Sequence, residues 1–511
     1  MCFIRLLAVL AVGALVGCTY TFPNTPLVGH SSNTELLPIA PDTTRTADEP
    51  YIVMSFSGGG IRATGFAYAV LNELAQVPDR SGRPFTADVQ IISSASGGSV
   101  TAAWFGLTGD AGLPVLRRDF ITQNNMAALE SQLLNPATLV RLAGPNYSRV
   151  DVVRDYFDRR LFRGATIGDV YHRPGAPLII LNATDMGTGE VFSFRTDRFD
   201  DLCSDLSRFP LATAVAASSA FPIALTPISL KNFSGGGCPV NPYPTRVRID
   251  LTTATRYLDL PAYKQALETV RMRGCPFPCA DPARRTPSVL YQHLLDGGLV
   301  DNLGTSAILR ELFNPDPSSQ LRRLNDGKIR NLVAIQVIAR TSTPSPVSVQ
   351  PGTPSVGRVA EAVIDNPIDS ATRGNAAMFE TAIGDLRQAG RLRALAPAPV
   401  GIPDHIYGIE VDPDQFDATK PDQVALRDRF EHIATSWSMN ADALATVEQA
   451  AHRLLYQHPC FIRLLLDRST RTPEELAHGT PIGDPAACDY DATAQTPITP
   501  PARVAQQAAR K

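Results

Sequence analysis

The sequence lacks an excess of positive charge. It has 47 Lys and Arg residues against 50 Asp and Glu residues, so its formal net charge is −3. A nucleic-acid-binding protein needs a cationic surface that neutralises phosphates, and this composition gives no support for one. Hydrophobic residues make up 44% of the 511 residues and charged residues 19%, which is typical of globular domains.

The apolar run at the N-terminus is too short to cross a bilayer. Leu6–Val16 is eleven residues long and follows Arg5, whereas a transmembrane helix needs about 20 residues. A short basic region followed by such a run is typical of a signal peptide. The run leads into Leu15-Val16-Gly17-Cys18, which resembles the bacterial lipobox. We therefore expect a signal peptide over residues 1–17 and lipidation of Cys18. An ordinary secretory signal with a chance cysteine is the alternative.

The residues after Cys18 indicate where such an anchor would lie. Thr19 stands where an Asp would indicate retention in the inner membrane, so the lipobox resemblance implies export to the outer membrane. The protein would then sit on its periplasmic side or at the cell surface. Residues 18–48 are rich in Thr, Pro, Ser and Asn without any period, and they predict a flexible, lipid-anchored tether.

Cysteine pairs in the arrangement of a zinc site are lacking. Cys275 and Cys279 form one pair, but no second pair matches it and their segment, "GCPFPCADP", is a Pro-rich loop. We therefore predict disulfides, no metal and no cofactor. In an exported chain, six cysteines allow three disulfides with fifteen possible pairings. Those that remain after loss of Cys2 and lipidation of Cys18 are Cys203, Cys238, Cys275, Cys279, Cys460 and Cys488.

Several continuous apolar runs of strand length alternate with helical patterns. Continuous runs, unlike alternating ones, indicate strands buried on both faces of a parallel sheet. We predict a three-layer α/β fold with a mostly parallel central sheet, in a domain over residues 49–470 followed by a largely disordered tail over 471–511. The predicted strands are Ile52–Ser57, Val89–Ser94, Leu178–Ala183, Leu332–Ile338 and Ile406–Val411, and the predicted helices are Ile61–Ala75, Gly97–Leu107 and two within 421–457.

One stretch, "VQIISSASGGSVTAAW" at 89–104, has the pattern of a buried strand, a tight turn and a helix. Its central Ser96 stands between Ala95 and Gly97, so the backbone can bend and a substrate can approach. A helix beginning at Gly97 would direct its positive end at a developing anion. This pattern favours a nucleophilic serine, although Ser94 stands where the G-x-S-x-G elbow has its first glycine. A plain Ser/Gly turn is the alternative from these residues alone.

A second strand-like run, "IVMSFSGGGIRATG" at 52–65, opens into Gly58, Gly59 and Gly60 and then into a helical pattern. It lacks the spacing and the lysine of a phosphate-binding P-loop, and the dinucleotide fingerprint G-x-G-x-x-G is absent. What remains is a turn whose bare amides point at a ligand. Beside an activated serine, such a turn serves as an oxyanion hole.

The candidate base is Asp296, in "LLDGGLVDN". An Asp before glycine is normally a turn residue, but here it can accept the proton of Ser96 if folding brings the two together. His293 suggests a Ser-His-Asp triad, yet three residues along a strand place it on the face opposite Asp296. Ser218 and Ser219 are further serines, but their segment lacks elbow glycines and predicts a helix end that lines the site.

Three motifs together resemble the patatin-like phospholipase family. "SGGGIRA", "SASGGS" and "DGGLVDN" occur in the order of the family's G-G-G-x-R-G, G-x-S-x-G and D-G-[GA]. "LNATDMGTGEVFSF" (181–194), "AVAASSAFPIALTPI" (214–228) and "FEHIATSWSMNADALATVEQAAHRLL" (430–455) resemble further stretches of it. The resemblance is to an exported bacterial member and covers residues 50–457, nearly all of the chain that we expect to be ordered.

The resemblance implies a serine acyl hydrolase with a Ser-Asp dyad on an α/β sheet. Ser96 attacks the ester carbonyl, and Asp296 takes its proton and returns it to the leaving alcohol. The amides of Gly58–Gly60 hold the oxyanion, Arg62 fixes that loop, and water hydrolyses the acyl-enzyme. The substrates implied are membrane phospholipids or lysophospholipids. An esterase or thioesterase of soluble substrates and a non-catalytic lipoprotein of the same fold are the alternatives.

Two positions depart from the family pattern, and one segment is unusual. Ala63 and Ser94 stand where the family has glycine, and both replacements are small. Residues 229–290 carry three of the cysteines and two Pro-rich loops. They predict an insertion near the mouth of the active site, held by disulfides, that serves either as a lid or as surface decoration.

Overall fold

The computed structural model describes residues 21–29, 32–37, 45–235, 289–313, 323–324, 327–341, 353, 355–393 and 403–488. Within these residues, helices pack on an eight-stranded mixed sheet, so the predicted three-layer α/β class is confirmed. The predicted signal peptide, Cys18, the cysteines Cys238, Cys275 and Cys279, and most of the predicted insertion lie outside the described residues. None of the described helices is long and apolar enough to span a bilayer.

The sheet has the order β5-β6-β3-β2-β1-β7-β8, and β4 pairs with β3. Strands β1, β2, β3, β7 and β8 run parallel, whereas β4, β5 and β6 pair antiparallel. The five predicted strands are the five parallel ones, because their continuous apolar runs are buried on both faces. The strands are β1 Pro50–Phe56, β2 Val89–Ala95, β3 Leu178–Asp185, β4 Val191–Ser193, β5 Ile228–Lys231, β6 Tyr291–Asp296, β7 Asn331–Val337 and β8 His405–Val411.

The helices cover both faces of the sheet, and those predicted from the sequence lie within two residues of their expected bounds. The first eight are α1 Asn33–Leu36, α2 Gly60–Ala75, α3 Gly97–Thr108, α4 Leu113–Leu116, α5 Asn125–Leu133, α6 Pro136–Ala143, α7 Arg149–Phe157 and α8 Ile167–His172. The others are α9 Thr196–Leu202, α10 Leu211–Ser218, α11 Gly298–Asp301, α12 Thr305–Phe313, α13 Val356–Arg393, α14 Pro421–Glu431, α15 Ala441–Gln457, α16 Pro459–Arg468 and α17 Pro473–Leu476.

Part of the predicted tether packs on the domain. Phe22 forms a parallel bridge to Leu230 of β5, and its N–H donates to the carbonyl of Ser229 at 2.7 Å. Asn33 is fully buried, and its side-chain amide donates to Asp200 at 2.8 Å. The predicted flexible tether is therefore wrong for these residues, whose polar and Pro-rich composition predicts no order. Its order comes from hydrogen bonds to β5 and α9, which no local pattern reveals.

The described chain also continues past residue 470, the predicted end of the domain. Leu476 is buried in α17, and a disulfide joins Cys460 of α16 to Cys488. Cys203 is disulfide-bonded as well. Residues 471–488 are therefore part of the packed domain, and the stretch 489–511 of the predicted tail lies outside the described residues.

Strand pairing brings the distant motifs to one place. Ala95, the last residue of β2, pairs with Asn182 of β3, and Asp296, the last residue of β6, pairs with the next residue, Ala183. Strand β1 lies on the other side of β2 and ends at Phe56, opposite Ser94. The glycine loop after β1, the turn after β2 and the end of β6 therefore meet at the carboxyl edge of the parallel strands. This is the edge at which ligand sites form in open α/β sheets.

Candidate active site

Ser96 sits in the sharp turn between β2 and α3. Its backbone has φ +49° and ψ −122°, a conformation that residues with a side chain rarely adopt. The turn is possible because Gly97 and Gly98 follow at once. A Cβ on Gly97 would lie 2.0 Å from the carbonyl oxygen of Gly60, and one on Gly98 would lie 2.6 Å from that of Ser57. Only glycine fits at these two positions. Because they have no side chains, the Ser96 turn can pack directly against the glycine loop.

The Ser96 hydroxyl donates a hydrogen bond to the Asp296 carboxylate, with Oγ and Oδ2 2.9 Å apart. Ser96 is 9% exposed and Asp296 is 4% exposed, so the pair is largely shielded from water. The structure thus brings together the two residues that the sequence predicts as nucleophile and base. A hydroxyl and a carboxylate in direct contact can exchange a proton without an intervening histidine.

Burial raises the pKa of Asp296 to about 6, because a carboxylate loses its hydration inside the protein. Two hydrogen bonds oppose this rise: one from the N–H of Gly298 to Oδ1, at 2.8 Å, and one from Ser96. The Gly298 bond fixes one carboxylate oxygen and leaves the other to face Ser96. Asp296 is therefore ionised near neutral pH and is a stronger base than an exposed aspartate.

The three glycines after β1 differ in what their amides do. The N–H of Gly58 donates to Asn302, to its carbonyl oxygen at 2.9 Å and to its side-chain oxygen at 3.1 Å. Gly59 and Gly60 have φ values of +132° and +57°, and their N–H groups have no hydrogen-bond acceptor in the described part of the chain. Of the three predicted oxyanion-hole amides, those of Gly59 and Gly60 are thus available to a ligand, and that of Gly58 is engaged by Asn302.

Arg62 does not approach the Ser96–Asp296 pair with a hydrogen bond. Its buried guanidinium donates to the carbonyl of Ala339 at 3.0 Å, to the carbonyl of Ile433 and to the hydroxyl of Thr435 at 3.2 Å. Burial lowers the pKa of Arg62 to about 10. The side chain ties the start of α2 to the end of β7 and to the loop after α14. This arrangement fits the predicted part of Arg62 in fixing the glycine loop.

A chain of serine hydroxyls supports the nucleophile from behind. Ser218 donates to the carbonyl of Asn182 at 2.6 Å, and it accepts the backbone N–H of Ser96 at 2.9 Å. Because its one proton is used, Ser99 must donate to Ser218 at 2.9 Å, and Ser94 must donate to Ser99 at 3.0 Å. The serine that replaces the first elbow glycine thus begins a directed hydrogen-bond chain that ends beneath Ser96.

Sequence reasoning missed two of these supporting residues. The sequence predicts Ser218 only at a helix end that lines the site, whereas it is fully buried and its hydroxyl both donates to Asn182 and accepts from Ser96. Asn302 lies within the "DGGLVDN" motif, six residues after Asp296, and that position was its only signal. Its amide donates to Thr372 of α13 at 2.9 Å, so it links the glycine loop to that long helix.

The remaining candidates lie apart from the proton-transfer pair. His293 is on the exposed side of β6, and its Nδ1 lies 2.7 Å from the hydroxyl of Ser229 on β5. It faces away from the buried Asp296, as strand alternation predicts. Ser219 is 3% exposed, and its hydroxyl has no partner among the described residues. Ala63 is buried in α2, where its methyl group would contact a Cβ on Gly59 at 3.5 Å.

The predicted insertion begins and ends at the β5–β6 pair. Leu294 pairs with Asp185, the last residue of β3, so β6 begins three residues beyond the end of β3, at Tyr291. At about 3.3 Å per residue, the two strands project about 10 Å past the carboxyl edge. The ends of β5 and β6 that flank the predicted insertion are at this projecting end, and the use of the insertion as a lid stays a prediction. In the described residues, no cluster of His, Cys, Asp or Glu could hold a metal ion.

A model of the patatin-like phospholipase family matches residues 54–309, which is half of the chain. None of the curated proteins compared with the chain matches it in sequence. Among solved structures, human GIVD cytosolic phospholipase A2 is 12% identical with a TM-score of 0.37, over 82% of this chain and 62% of its own. VipD from Legionella pneumophila is also 12% identical, with a TM-score of 0.27, over 89% of this chain and 76% of its own.

The match with the human enzyme also includes a complex with methyl gamma-linolenyl fluorophosphonate, at the same identity and TM-score. The chain spans less than two thirds of the length of that enzyme. The family model covers "SGGGIRA", "SASGGS" and "DGGLVDN", the segments whose ends meet at the carboxyl edge.

Proposed function

Because the chain belongs to the patatin-like phospholipase family, we propose that it is a serine acyl hydrolase that cleaves ester bonds of membrane lipids. The observation that carries the proposal is the 2.9 Å hydrogen bond from Ser96 Oγ to Asp296 Oδ2, in a turn that only glycines permit. Neighbouring amides at Gly59 and Gly60 add to it, since an acyl transfer needs donors where negative charge develops.

In this proposal, Ser96 attacks the carbonyl carbon of the ester while its proton passes to Asp296. The carbonyl oxygen becomes an oxyanion and accepts hydrogen bonds from Gly59 and Gly60, at the start of α2. Asp296 then gives its proton to the leaving alcohol, and an acyl-enzyme remains on Ser96. Water, deprotonated by the same carboxylate, releases the fatty acid and restores the serine.

The two partners of the reaction are supported from opposite sides. Gly298 holds the Asp296 carboxylate by its N–H, and Ser218 holds the backbone of Ser96 by its hydroxyl. Neither bond involves an atom that reacts. The geometry of the pair is therefore preorganised before substrate binds, which lowers the cost of reaching the transition state.

We also propose that Cys18 is lipidated after removal of residues 1–17, and that the anchor keeps the site beside its substrate. The support is the signal-peptide pattern ending in Leu15-Val16-Gly17-Cys18. In cells that process lipoproteins, the wild-type chain should incorporate labelled palmitate and fractionate with outer membranes. Cys18→Ser should lose the label. Labelled lipid on the Cys18→Ser chain would refute the assignment.

The function is tested with the mature chain, residues 18–511 carrying Cys18→Ser, and its Ser96→Ala and Asp296→Asn variants. Each is incubated with phospholipid vesicles and, separately, with a short-chain ester. Release of fatty acid from vesicles that is lost in both variants is the expected result. Ser55→Ala is the control, since Ser55 is buried in β1 and its hydroxyl has no partner in the described part of the chain.

The other outcomes separate the alternatives. Cleavage of the ester without release of fatty acid from vesicles would replace the lipid substrate by a soluble ester or thioester. Failure of the folded protein to cleave either substrate, together with no labelling of Ser96 by a fluorophosphonate, would favour a non-catalytic lipoprotein of this fold.

A further inference from the structure

Helix α6 presents large apolar side chains to solvent. Leu139 is 51% exposed and Val140 is 74% exposed, and Leu134, just before the helix, is 76% exposed. No residue of α6 is buried, although five of its eight residues are Leu, Val or Ala. Such a helix gains nothing from its apolar surface in water, so the surface indicates a partner that is not water.

Polar contacts hold α6 against α7. Arg141 forms an ion pair with Asp155 of α7 at 3.2 Å, and its guanidinium lies 3.6 Å from the centre of the Tyr147 ring. Tyr147 in turn donates a hydrogen bond to Asp155 at 2.8 Å. The polar side of α6 is therefore fixed to the domain, and Leu139 and Val140 are left on its free surface.

The start of α7 contacts the loop that leaves the candidate active site. Arg149 donates to the carbonyl of Ile223 at 2.9 Å, and the N–H of Val150 donates to Thr226 at 3.3 Å. Ile223 is 66% exposed and has φ +69°, a strained conformation for a β-branched residue. This loop follows Ala220, whose carbonyl accepts the N–H of Asp296 at 3.0 Å. The exposed apolar tip is thus three residues from a direct contact of the candidate base.

The N-terminal segment also lies on α7. The Arg154 guanidinium lies 5.9 Å from the centre of the Phe22 ring. Because Phe22 pairs in parallel with Leu230, the chain arrives at Phe22 from the side on which β5 begins, and the loop with Ile223 lies on that side. Phe22 is four residues after Cys18, which is a reach of at most about 14 Å.

We propose that Leu134, Leu139, Val140 and Ile223, which we call the apolar patch, insert into the phospholipid bilayer that holds the Cys18 lipid. This inference rests on the proposed function and adds the orientation of the protein on its substrate. Arg159 and Arg160, exposed just after α7, add positive charge near the patch, so the bilayer surface is expected to be anionic.

Vesicle binding without catalysis and without an anchor tests the proposal. The mature chain carrying Cys18→Ser and Ser96→Ala is sedimented with vesicles of an equal mixture of phosphatidylcholine and phosphatidylglycerol. Leu139→Asp should weaken binding about tenfold or more, because an apolar side chain leaves the bilayer and a charge would have to enter it. The matched control is Leu466→Asp, since Leu466 on α16 is also 51% exposed.

A second measurement reports insertion directly. Tryptophan introduced by Val140→Trp should shift its emission to shorter wavelength when vesicles are added, whereas tryptophan introduced by Leu466→Trp should not. Circular dichroism of every variant, before vesicles are added, establishes that each one is folded. An unshifted Val140→Trp spectrum with bound vesicles would place the patch outside the bilayer.

Three other results would overturn the proposal that the apolar patch inserts into the bilayer. Equal vesicle binding by Leu139→Asp and Leu466→Asp would overturn the proposal, as would failure of the parent chain to bind vesicles. Size-exclusion chromatography without lipid tests a second copy as the partner: a dimer that Leu139→Asp dissociates would also overturn it. Cleavage of a short-chain ester by the Ser96 form tests the proposed function separately, because that substrate needs no bilayer.

Discussion

Ser218 accepts the backbone N–H of Ser96 through its hydroxyl, at 2.9 Å, although 122 residues separate the two in the chain. The bond holds the left-handed turn in which Ser96 lies, and the same hydroxyl is anchored on the carbonyl of Asn182. A buried hydroxyl at the end of α10 therefore sets the direction of the candidate nucleophile.

Ser218→Ala should lower kcat with little change in KM. It leaves the N–H of Ser96 without an acceptor in a buried site, which costs about 1–3 kcal/mol and corresponds to a loss of about 10- to 100-fold. The rate of covalent labelling of Ser96 by a fluorophosphonate should fall by the same factor. Ser219→Ala is the matched control, since the next hydroxyl has no partner in the described part of the chain. Equal losses in both variants would show that Ser218 does not position Ser96.

The pH dependence of kcat/KM should report Asp296. Its pKa is raised to about 6 by burial, and the base must be ionised to take the proton of Ser96. The rate should therefore rise with pH about tenfold per unit below pH 6 and level off above it. A short-chain ester is the suitable substrate, because vesicle binding has its own pH dependence. A flat profile from pH 4.5 to 8 would contradict Asp296 as the base.

Asp296→Asn should stabilise the protein while it removes activity. A raised pKa in the folded state means that folding favours the protonated form, so the ionised carboxylate destabilises the protein above pH 6. The pKa of Asp296 in the folded protein is about two pH units above that of an exposed aspartate, which corresponds to about 3 kcal/mol in the free energy of unfolding. The variant should gain this stability at pH 8 and lose the gain as the pH falls toward 4. Urea unfolding at the two pH values measures it. Asp385→Asn, on the exposed side of α13, should show no such gain.

Gly97→Ala should unfold or strongly destabilise the domain, by about 3 kcal/mol or more, because its Cβ would lie 2.0 Å from a backbone oxygen that cannot move aside. Gly374→Ala is the opposite case. Gly374 lies in α13 with nothing within 4 Å of its Cβ position, so this change should raise stability by up to about 1 kcal/mol. Thermal unfolding compares the two. A stable Gly97→Ala protein would show that the turn can rearrange.

The sequence predicts the parallel part of the fold well because each strand is a continuous apolar run, buried on both faces. Strand β5 was not predicted, and β6 was expected only as the strand that carries His293 and Asp296, since both are short and lie beside a long insertion. Helix α6 was not predicted either, because it buries no residue and so carries no core-facing pattern. Hydrophobic periodicity reveals surfaces that face a core, and the surface of α6 faces solvent instead.

In the candidate active site, too, some residues can be predicted from the sequence and others cannot. Ser96 and Asp296 can be identified because each lies in a tight turn that only glycine permits, and the glycines are visible in the sequence. Ser218 and Asn302 act through a single hydrogen bond to another motif, and the partner is visible only once the chain has folded. The engagement of the Gly58 amide by Asn302 belongs to this second kind. The glycines of a turn are close together in the sequence, whereas the hydrogen bonds that support the site join residues that are far apart in it.

The pairing of Phe22 with β5 covers part of an edge of the sheet. Strand β5 is the edge of the sheet, and an open edge is a template for pairing with another chain. The N-terminal segment occupies that edge at Ser229 and Leu230. A chain shortened to begin at residue 49 would leave these backbone groups open and would lose the two hydrogen bonds that Asn33 donates to Asp200. The N-terminal segment around Phe22 thus also protects the fold from edge-to-edge aggregation.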